Sequence, residues 1–364
     1  MADIVIVFDS GFGGGGAERV ALHLVDYWIK QGRTVQLVTM RGPEHDFYTV
    51  PSNAQRIVLG GTAKSRNKIF GLLNNIPRVL RLRSALVQSD AQIILAFQTR
   101  TNIRTILACF GSGKRVIISE RNDPSRQLFG WPWPWLRRML YRYADIVTAN
   151  SQIALEYMRD YVPGHKLTYV PNPVVVPDSS AHLKQSTKIL NVSSLKSHKG
   201  QELLIEAIAL LGEGLGGWTV DLLGEGPERN NLNSLVYTHS LQNRVLFHGL
   251  VDDPSPFYLS AGIFVFPSTY EGTPNALLEA MAFGLPCIVS DSLPGALEHI
   301  EDGVTGLVFR NGDTSDLAEK IQKLIEDVNL RINFGSAARE SMKVLASKNQ
   351  MMAWDSLLKP SGRQ

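Results

Sequence analysis

The sequence predicts an α/β protein made of two parallel-sheet domains. Short β-branched runs alternate with helical patterns along most of its 364 residues, as buried parallel strands and their crossover helices do. A proline-rich and then polar stretch at 170–187 interrupts the alternation, after which the pattern starts again. A chain of this length also suits two domains better than one. Two α/β units joined by a linker create a cleft, where ligands usually bind.

The first domain opens with a strand at Ile4–Phe8, a glycine-rich turn and a helical pattern at 17–31. Further buried strands are expected at Val35–Thr39, 92–96, 116–119 and 145–149. The final segment, at 350–358, is expected to form a helix that packs back on this domain. The first domain should therefore comprise residues 1–172 together with residues from about 348 to 364.

The second domain should comprise residues 173–347. Its expected strands are at 189–192, 220–223, 245–247, Ile263–Phe266 and Cys287–Ser290. Helical patterns lie between them, including 200–211 and 276–283. The two cysteines, Cys109 and Cys287, are interpreted as small buried apolar residues of a reducing compartment.

Charge is distributed unevenly along the chain. Residues 1–175 hold 22 Lys and Arg against 12 Asp and Glu, a net +10, whereas the remainder holds 15 against 22, a net −7. The basic half suggests an anionic partner, which could be nucleic acid, anionic lipid or a diphosphate substrate, or else a merely solvated surface. No nucleic-acid-binding module is recognised. The N-terminus lacks a secretory signal pattern and no apolar run could span a membrane, so we expect a cytoplasmic location.

The strongest local motif places two glutamates eight positions apart, in Pro267-Ser-Thr-Tyr-Glu-Gly-Thr-Pro-Asn-Ala-Leu-Leu-Glu279. Glu271 follows a strand, and Pro274 and Asn275 suit a helix start, so Glu279 lies about a turn into that helix. Free amides at the helix start suit a diphosphate, and a nearby carboxylate can bind sugar hydroxyls. On spacing alone, a capped surface helix with incidental acids fits equally well.

The motif, together with the Gly-Leu-Pro that follows it, resembles family 4 of the glycosyltransferases. The resemblance covers nearly the whole chain, including segments 13–19, 170–172, 193–200, 223–227, 247–249 and 298–306. It implies a glycosyltransferase-B architecture, with two Rossmann-like domains facing across a cleft. It also implies a retaining reaction with a nucleotide-diphosphate sugar, UDP favoured, and no cofactor or bound metal.

The resemblance also implies roles for individual residues. Glu271 would contact the transferred sugar, Glu279 would contact the ribose and Lys199 would contact the phosphate. The catalytic candidates are Glu271, Lys199 and Arg121. The donor-side candidates are Glu279, Thr273, Pro274, Asn275, Ala276, Ser194, Lys196, Gly224, Gly226 and His248.

Two departures from the family pattern matter. Ser194 stands where the family usually has an arginine. A serine lacks the two charged donors with which an arginine binds a phosphate. Lys196 or His198 could partly replace it. In the first domain, many relatives have a histidine near the position of Arg121. Glu120, Arg121 and Asn122 are expected to line the cleft, although a polar turn ahead of Pro124 is the alternative.

The remaining acceptor-side candidates belong to the glycine-rich turn and to basic segments of the first domain. Gly15 and Gly16 should border the acceptor. No ribose-binding acidic residue lies about 20 positions after this turn, which argues against an NAD-binding site. Residues 47–89 hold seven basic residues and no acidic ones, among them the acceptor-side candidates Lys64, Arg66, Lys68, Arg78 and Arg81.

Two amphipathic helices are expected among these basic segments. Over 75–88, Arg78 and Arg81 should lie opposite an apolar face formed by Ile76, Val79, Leu80 and Val87, with Arg83 inside that face. Over 135–143, Leu136, Met139, Leu140 and Tyr143 should share one face, and Arg137, Arg138 and Arg142 the other. Such segments suit an anionic membrane surface, whereas an apolar face packed on the sheet is the alternative.

The sequence therefore predicts a transferase that moves a hexose or N-acetylhexosamine to a prenyl-diphosphate-linked saccharide at the inner face of the cell membrane. Two other enzymes of the same architecture remain open, a transferase with a soluble acceptor and a sugar-nucleotide epimerase. A non-catalytic sugar-nucleotide-binding subunit is a further alternative, suggested by Ser194.

Overall fold

The computed structural model describes residues 2–8, 16–46, 48–60, 75–122, 124–125, 127, 129–271 and 274–359. The chain divides into two compact units, which we call the N-terminal unit (residues 1–172 and 350–364) and the C-terminal unit (residues 173–349). Each unit contains one parallel β-sheet with helices on both faces.

The sheet of the N-terminal unit has seven strands in the order β3-β2-β1-β4-β5-β6-β7, and every neighbouring pair is parallel. The strands are β1 (Ile4–Phe8), β2 (Val35–Thr39), β3 (Gln55–Val58), β4 (Ile93–Phe97), β5 (Arg115–Glu120), β6 (Ile146–Ala149) and β7 (Leu167–Tyr169). The described helices are Gly16–Lys30, Asn75–Gln88, Thr99–Cys109, Trp133–Leu140, Gln152–Met158 and Ser347–Leu358.

Alternate residues of the central strands enter two separate cores, because successive side chains of a strand point to opposite faces. From β1, Val5 and Val7 join the core beneath the Asn75–Gln88 and Thr99–Cys109 helices. Ile4, Ile6 and Phe8 join the core beneath the Gly16–Lys30 helix.

The C-terminal helix Ser347–Leu358 contributes to the second of these cores. Trp354 is fully buried there, with its ring centroid 5.8 Å from that of Phe97. Asp355 accepts hydrogen bonds from Trp28 Nε1 at 2.8 Å and from the Tyr27 hydroxyl at 3.0 Å. Burial and this carboxylate raise the pKa of Tyr27.

The sheet of the C-terminal unit has six strands in the order β10-β9-β8-β11-β12-β13, again all parallel. The strands are β8 (Lys188–Val192), β9 (Thr219–Leu223), β10 (Val245–Gly249), β11 (Ile263–Phe266), β12 (Cys287–Ser290) and β13 (Gly306–Phe309). The helices are Gln201–Leu211, Arg229–Thr238, Ser255–Ser260, Asn275–Ala282, Pro294–Leu297, Thr314–Glu326 and Val328–Met342.

The α/β class and the central strands are confirmed, with Ile4–Phe8, Ile263–Phe266 and Cys287–Ser290 matching to the residue. The prediction missed β3, β7 and β13, which are all edge strands. An edge strand pairs on one side only and needs no continuous apolar run; β3 and β7, for example, have no buried residue. Cys109 and Cys287 are buried, as expected.

The predicted apolar face of the Asn75–Gln88 helix is largely exposed. Leu82 and Leu86 form its buried side, whereas Ile76, Leu80 and Val87 are between 48% and 60% exposed. The helix packs against the neighbouring Thr99–Cys109 helix. This tertiary contact buries the side that carries Leu82 and Leu86 and leaves the predicted apolar face outside. Arg83, expected inside that apolar face, donates to the carbonyl oxygens of Ala108 and Phe110 at the end of that neighbouring helix.

The predicted faces of the 135–143 segment are wrong. Arg137 is only 2% exposed and donates to Pro124 O and Gln127 Oε1, so its guanidinium has two acceptors inside the protein. Met139 and Tyr143, which a packed apolar face would bury, are exposed together with Trp135. Within the described residues, each helix is too short or too polar to cross a bilayer.

Candidate functional site

The carboxyl ends of the central strands of the C-terminal unit bring together residues that are far apart in the sequence. The loop after β8 carries Lys199, and the loop after β11 carries Glu271, 72 positions later. Lys199 Nζ and Glu271 Oε1 form an ion pair whose side chains are only 12% and 17% exposed. Ser268 Oγ also donates to Glu271 Oε1, at 3.4 Å. An ion pair between central strand ends is placed where open α/β sheets bind ligands.

Backbone contacts fix the Lys199 loop against the Glu271 loop. The amide of Thr269 donates to His198 O at 2.9 Å, and the His198 and Tyr270 rings meet edge to face at 6.0 Å. Burial and the neighbouring Lys199 lower the pKa of His198. His198 should therefore be mostly neutral at pH 7, which limits its ability to replace a phosphate-binding arginine.

Gly200 permits the close approach of these two loops. It has a left-handed φ of 72°, and a Cβ at this position would lie 2.2 Å from Pro267 O. Any side chain would therefore push the Lys199 turn away from the end of β11.

Replacing Gly200 with alanine is expected to destabilise the C-terminal unit through both the backbone conformation and the clash. Left-handed backbone costs an L-residue about 1–2 kcal/mol, and the steric conflict adds roughly 1–3 kcal/mol. The matched control is Gly312→Ala, because Gly312 has a φ of 77° but a Cβ there would have no other atom within 4 Å. Urea unfolding of both variants measures the difference; equal losses would show that the close approach to Pro267 is unimportant.

A second contact zone joins the loops after β8 and β9. A Cβ at Gly224 would lie 2.0 Å from Ser193 O, and one at Gly226 would lie 2.2 Å from Leu195 O. Leu195 N donates to Glu225 O at 3.0 Å across the same zone. Packing thus explains both glycines, and their predicted contact with the donor remains a prediction.

Gln201 and Tyr258 are residues of this region that sequence reasoning missed. Gln201 is buried, and its Nε2 donates to Ser193 Oγ at 2.7 Å and to Ser194 O at 3.2 Å. The Tyr258 hydroxyl donates to Glu279 Oε2 at 3.1 Å and to Ala276 O at 3.3 Å. Tyr258 thereby orients the second glutamate of the motif. Neither residue belongs to a recognisable motif.

The Asn275–Ala282 helix starts at the predicted place, next to Glu271. No side chain of the described residues caps its N-terminus, where Pro274 occupies the cap position. By contrast, Asp313 and Asp327 cap the two long helices later in the unit through their side chains. The amides of the first helical turn and the helix dipole favour an anion at this end.

The remaining donor-side candidates differ in their surroundings. His248 Nε2 lies 2.8 Å from Oδ1 of the buried Asp221, and its ring packs against Phe257 at 4.7 Å. Lys196 is exposed and Ser194 is half-buried on the Lys199 loop. Thr273 lies outside the described residues.

The N-terminal unit holds the other predicted cluster. Glu120 is fully buried at the end of β5, and its Oε2 accepts from the Thr99 and Tyr141 hydroxyls at 2.8 Å each. Burial raises the pKa of this carboxyl. Gln98, which sequence reasoning missed, has a φ of 73° at the end of β4, a strained conformation for a non-glycine residue.

Arg121 lies inside the N-terminal unit. Its guanidinium donates to Ser119 Oγ, Val170 O and Asn172 Oδ1 at 2.7–3.1 Å and lies 5.1 Å from the Trp354 ring centroid. Burial lowers its pKa to about 9. All of these contacts are made within the N-terminal unit and hold its fold together. The catalytic role of Arg121 remains a prediction. Asn122 is half-buried beside it.

The other acceptor-side candidates are only partly described. Gly16 begins the first helix, Arg78 is half-buried and Arg81 is exposed. Gly15, Lys64, Arg66 and Lys68 lie outside the described residues.

Two family models match the chain in tandem. Residues 14–176 match Glycosyltransferase Family 4, and residues 176–341 match Glycosyl transferases group 1. The chain belongs to the family 4 glycosyltransferases. This glycosyltransferase therefore has the enzyme class and the family that its glutamate motif predicted.

Curated relatives and solved structures agree with this assignment. The glycosyltransferase is 27% identical to the lipopolysaccharide core biosynthesis glycosyltransferase LpsE of Rhizobium meliloti, over 90% of this chain and 91% of LpsE. It is 26% identical to a Campylobacter jejuni α-1,4-N-acetyl-D-galactosaminyltransferase that acts on a diphospho-undecaprenol-linked saccharide, over 90% of each chain. The crystal structure of Anabaena HepE in complex with UDP and glucose superposes with a TM-score of 0.81 at 20% identity, covering 98% of this chain and 99% of that one. The predicted glycosyltransferase-B fold is thus confirmed.

Proposed function

We propose that this glycosyltransferase moves a hexose or N-acetylhexosamine from a UDP-sugar to a lipid-diphosphate-linked saccharide, with retention of anomeric configuration, at the cytoplasmic face of the membrane. The partly buried Lys199–Glu271 pair carries the proposal, because it holds a cation for phosphate beside a carboxylate for sugar hydroxyls. UDP in HepE and the lipid-linked acceptor of the Campylobacter relative support the two substrate classes.

In this proposal the C-terminal unit binds the donor. The diphosphate would lie at the N-terminus of the Asn275–Ala282 helix and compete with Glu271 for the Lys199 ammonium. Glu271, released from that ion pair, would accept hydrogen bonds from the hydroxyls of the sugar. Glu279, oriented by Tyr258, would accept hydrogen bonds from the ribose.

The chemical step breaks the bond between the anomeric carbon and the phosphate oxygen and forms a bond to the acceptor oxygen. Lys199 and the helix amides would stabilise the negative charge that develops on the leaving diphosphate. The proton of the acceptor hydroxyl would pass to that leaving phosphate. We propose no resident metal for this step, so activity should persist in excess EDTA.

A transfer assay with purified protein tests the proposal. UDP- and GDP-sugars are offered with and without a prenyl-diphosphate-linked saccharide, and released nucleotide and product anomer are measured. Acceptor-dependent release of UDP with a retained anomer is the expected result. Turnover only with water-soluble acceptors would contradict the lipid-linked acceptor.

A non-catalytic nucleotide-sugar-binding protein is the second candidate, and Ser194 favours it. Serine at this position removes the bidentate phosphate contact that the family pattern implies. Nucleotide-sugar binding without turnover across the acceptor panel would establish this alternative.

A further inference from the structure

Exposed apolar side chains concentrate on one part of the N-terminal unit. Of nineteen exposed large apolar side chains among the described residues, nine lie between residues 76 and 143. They are Ile76, Leu80, Val87, Leu107, Phe110, Trp131, Trp135, Met139 and Tyr143, and we call them the apolar face. Trp131 and Trp135 are 79% and 55% exposed, whereas Trp28, Trp218 and Trp354 are buried. Exposed tryptophans in such a group indicate an interaction surface.

Contacts between the elements bring the Asn75–Gln88 helix, Phe110 and the 135–143 segment next to one another. Arg83, on the same side of its helix as Leu80 and Val87, donates to Phe110 O at 2.8 Å. The Phe110 ring meets the Tyr143 ring edge to face at 6.1 Å. Trp135, Met139 and Tyr143 follow at intervals of four, which aligns them along one side of the helical segment.

The surroundings of the apolar face are basic. Residues 75–143 include twelve Lys and Arg, of which Arg104, Arg121 and Arg137 are buried, against three Asp and Glu, of which Glu120 is buried. Arg138 and Arg142 are exposed within the same segment as Trp135 and Met139. An apolar surface rimmed by positive charge is complementary to a bilayer with anionic headgroups.

We propose that the apolar face docks on an anionic lipid bilayer, with its tryptophans and Tyr143 at the headgroup level and Arg138 and Arg142 against the phosphates. Tryptophan and tyrosine favour this interfacial region. A second copy of the chain is a poorer occupant, because an isologous contact would bring two positively charged surfaces together. The inference deepens the proposed function, since a lipid-linked acceptor lies at such a surface.

Vesicle co-sedimentation tests the docking without donor or acceptor. Phosphatidylcholine vesicles are compared with vesicles containing one quarter phosphatidylglycerol. We expect the Trp135→Ser/Met139→Ser variant to bind the anionic vesicles at least about tenfold more weakly, because two apolar side chains no longer enter the bilayer. The matched control is Leu210→Ser/Tyr237→Ser, two positions of the C-terminal unit that are at least as exposed, and it should bind like the wild type.

A charge variant tests the other half of the proposal. Arg138→Gln/Arg142→Gln should weaken binding to anionic vesicles only and reduce its dependence on salt. Equal binding by the apolar variant and its control, or no binding by the wild type, would overturn the docking. Dimerisation in sedimentation equilibrium that is lost in the Trp135→Ser/Met139→Ser variant would assign the face to a second copy instead.

Transfer to a water-soluble acceptor analogue separates this inference from the proposed function. If the apolar variant keeps that activity but loses vesicle binding, the docking face stands by itself. If the wild type binds vesicles through this face but transfers no sugar, the proposed function fails and the docking surface remains.

Discussion

Glu271→Gln is expected to lower kcat/KM for sugar transfer by about 100- to 1000-fold, or ~3–4 kcal/mol of transition-state stabilisation. The substitution keeps the size of the side chain but removes the charge that pairs with Lys199. It also weakens the proposed hydrogen bonds to the sugar, since bonds to a charged acceptor are about twice as strong as neutral ones. Steady-state kinetics with saturating acceptor measure the loss.

The matched control for Glu271 is Glu340→Gln, which makes the same chemical change in an exposed ion pair with Lys343. It should leave kcat/KM unchanged, because exposed pairs contribute little. Circular dichroism and urea unfolding establish that Glu271→Gln is folded. Activity of this variant within threefold of the wild type would remove Glu271 from the mechanism.

Trp354→Ala is expected to reduce the free energy of unfolding of the N-terminal unit by about 3–5 kcal/mol, the usual cost of removing a fully buried aromatic side chain. Trp354 fills the core between β4 and the Gly16–Lys30 helix, and its ring covers the Arg121 guanidinium. The variant leaves a cavity next to a buried charge, so both packing and electrostatics are affected.

Trp135→Ala provides the control for Trp354, because it makes the same change at an exposed position of the same unit. Its stability should remain within about 0.5 kcal/mol of the wild type. Since a chain of two units need not unfold in one transition, hydrogen exchange of peptides that contain β1 and β4 should accompany urea unfolding. Unchanged exchange in those strands would show that the C-terminal helix does not stabilise this sheet.

The sequence by itself determined the α/β class, the central strands and the family. Buried parallel strands need continuous β-branched runs, and such runs can be recognised in the sequence alone. The Glu271–Glu279 motif likewise lies in one continuous stretch, so its strand-loop-helix setting was predictable. Edge strands β3 and β7 were not, because one-sided pairing leaves no such pattern in the sequence.

Only the tertiary structure decided which side chains meet and which remain exposed. The pairing of Lys199 with Glu271 spans 72 positions and depends on three crossovers of one sheet. Helical periodicity placed Arg137 on the solvent side, but it is buried because Pro124 O and Gln127 Oε1 accept hydrogen bonds from its guanidinium in the interior. The same packing leaves Trp135 and Met139 exposed, since this helix packs on one side, against the Thr99–Cys109 helix.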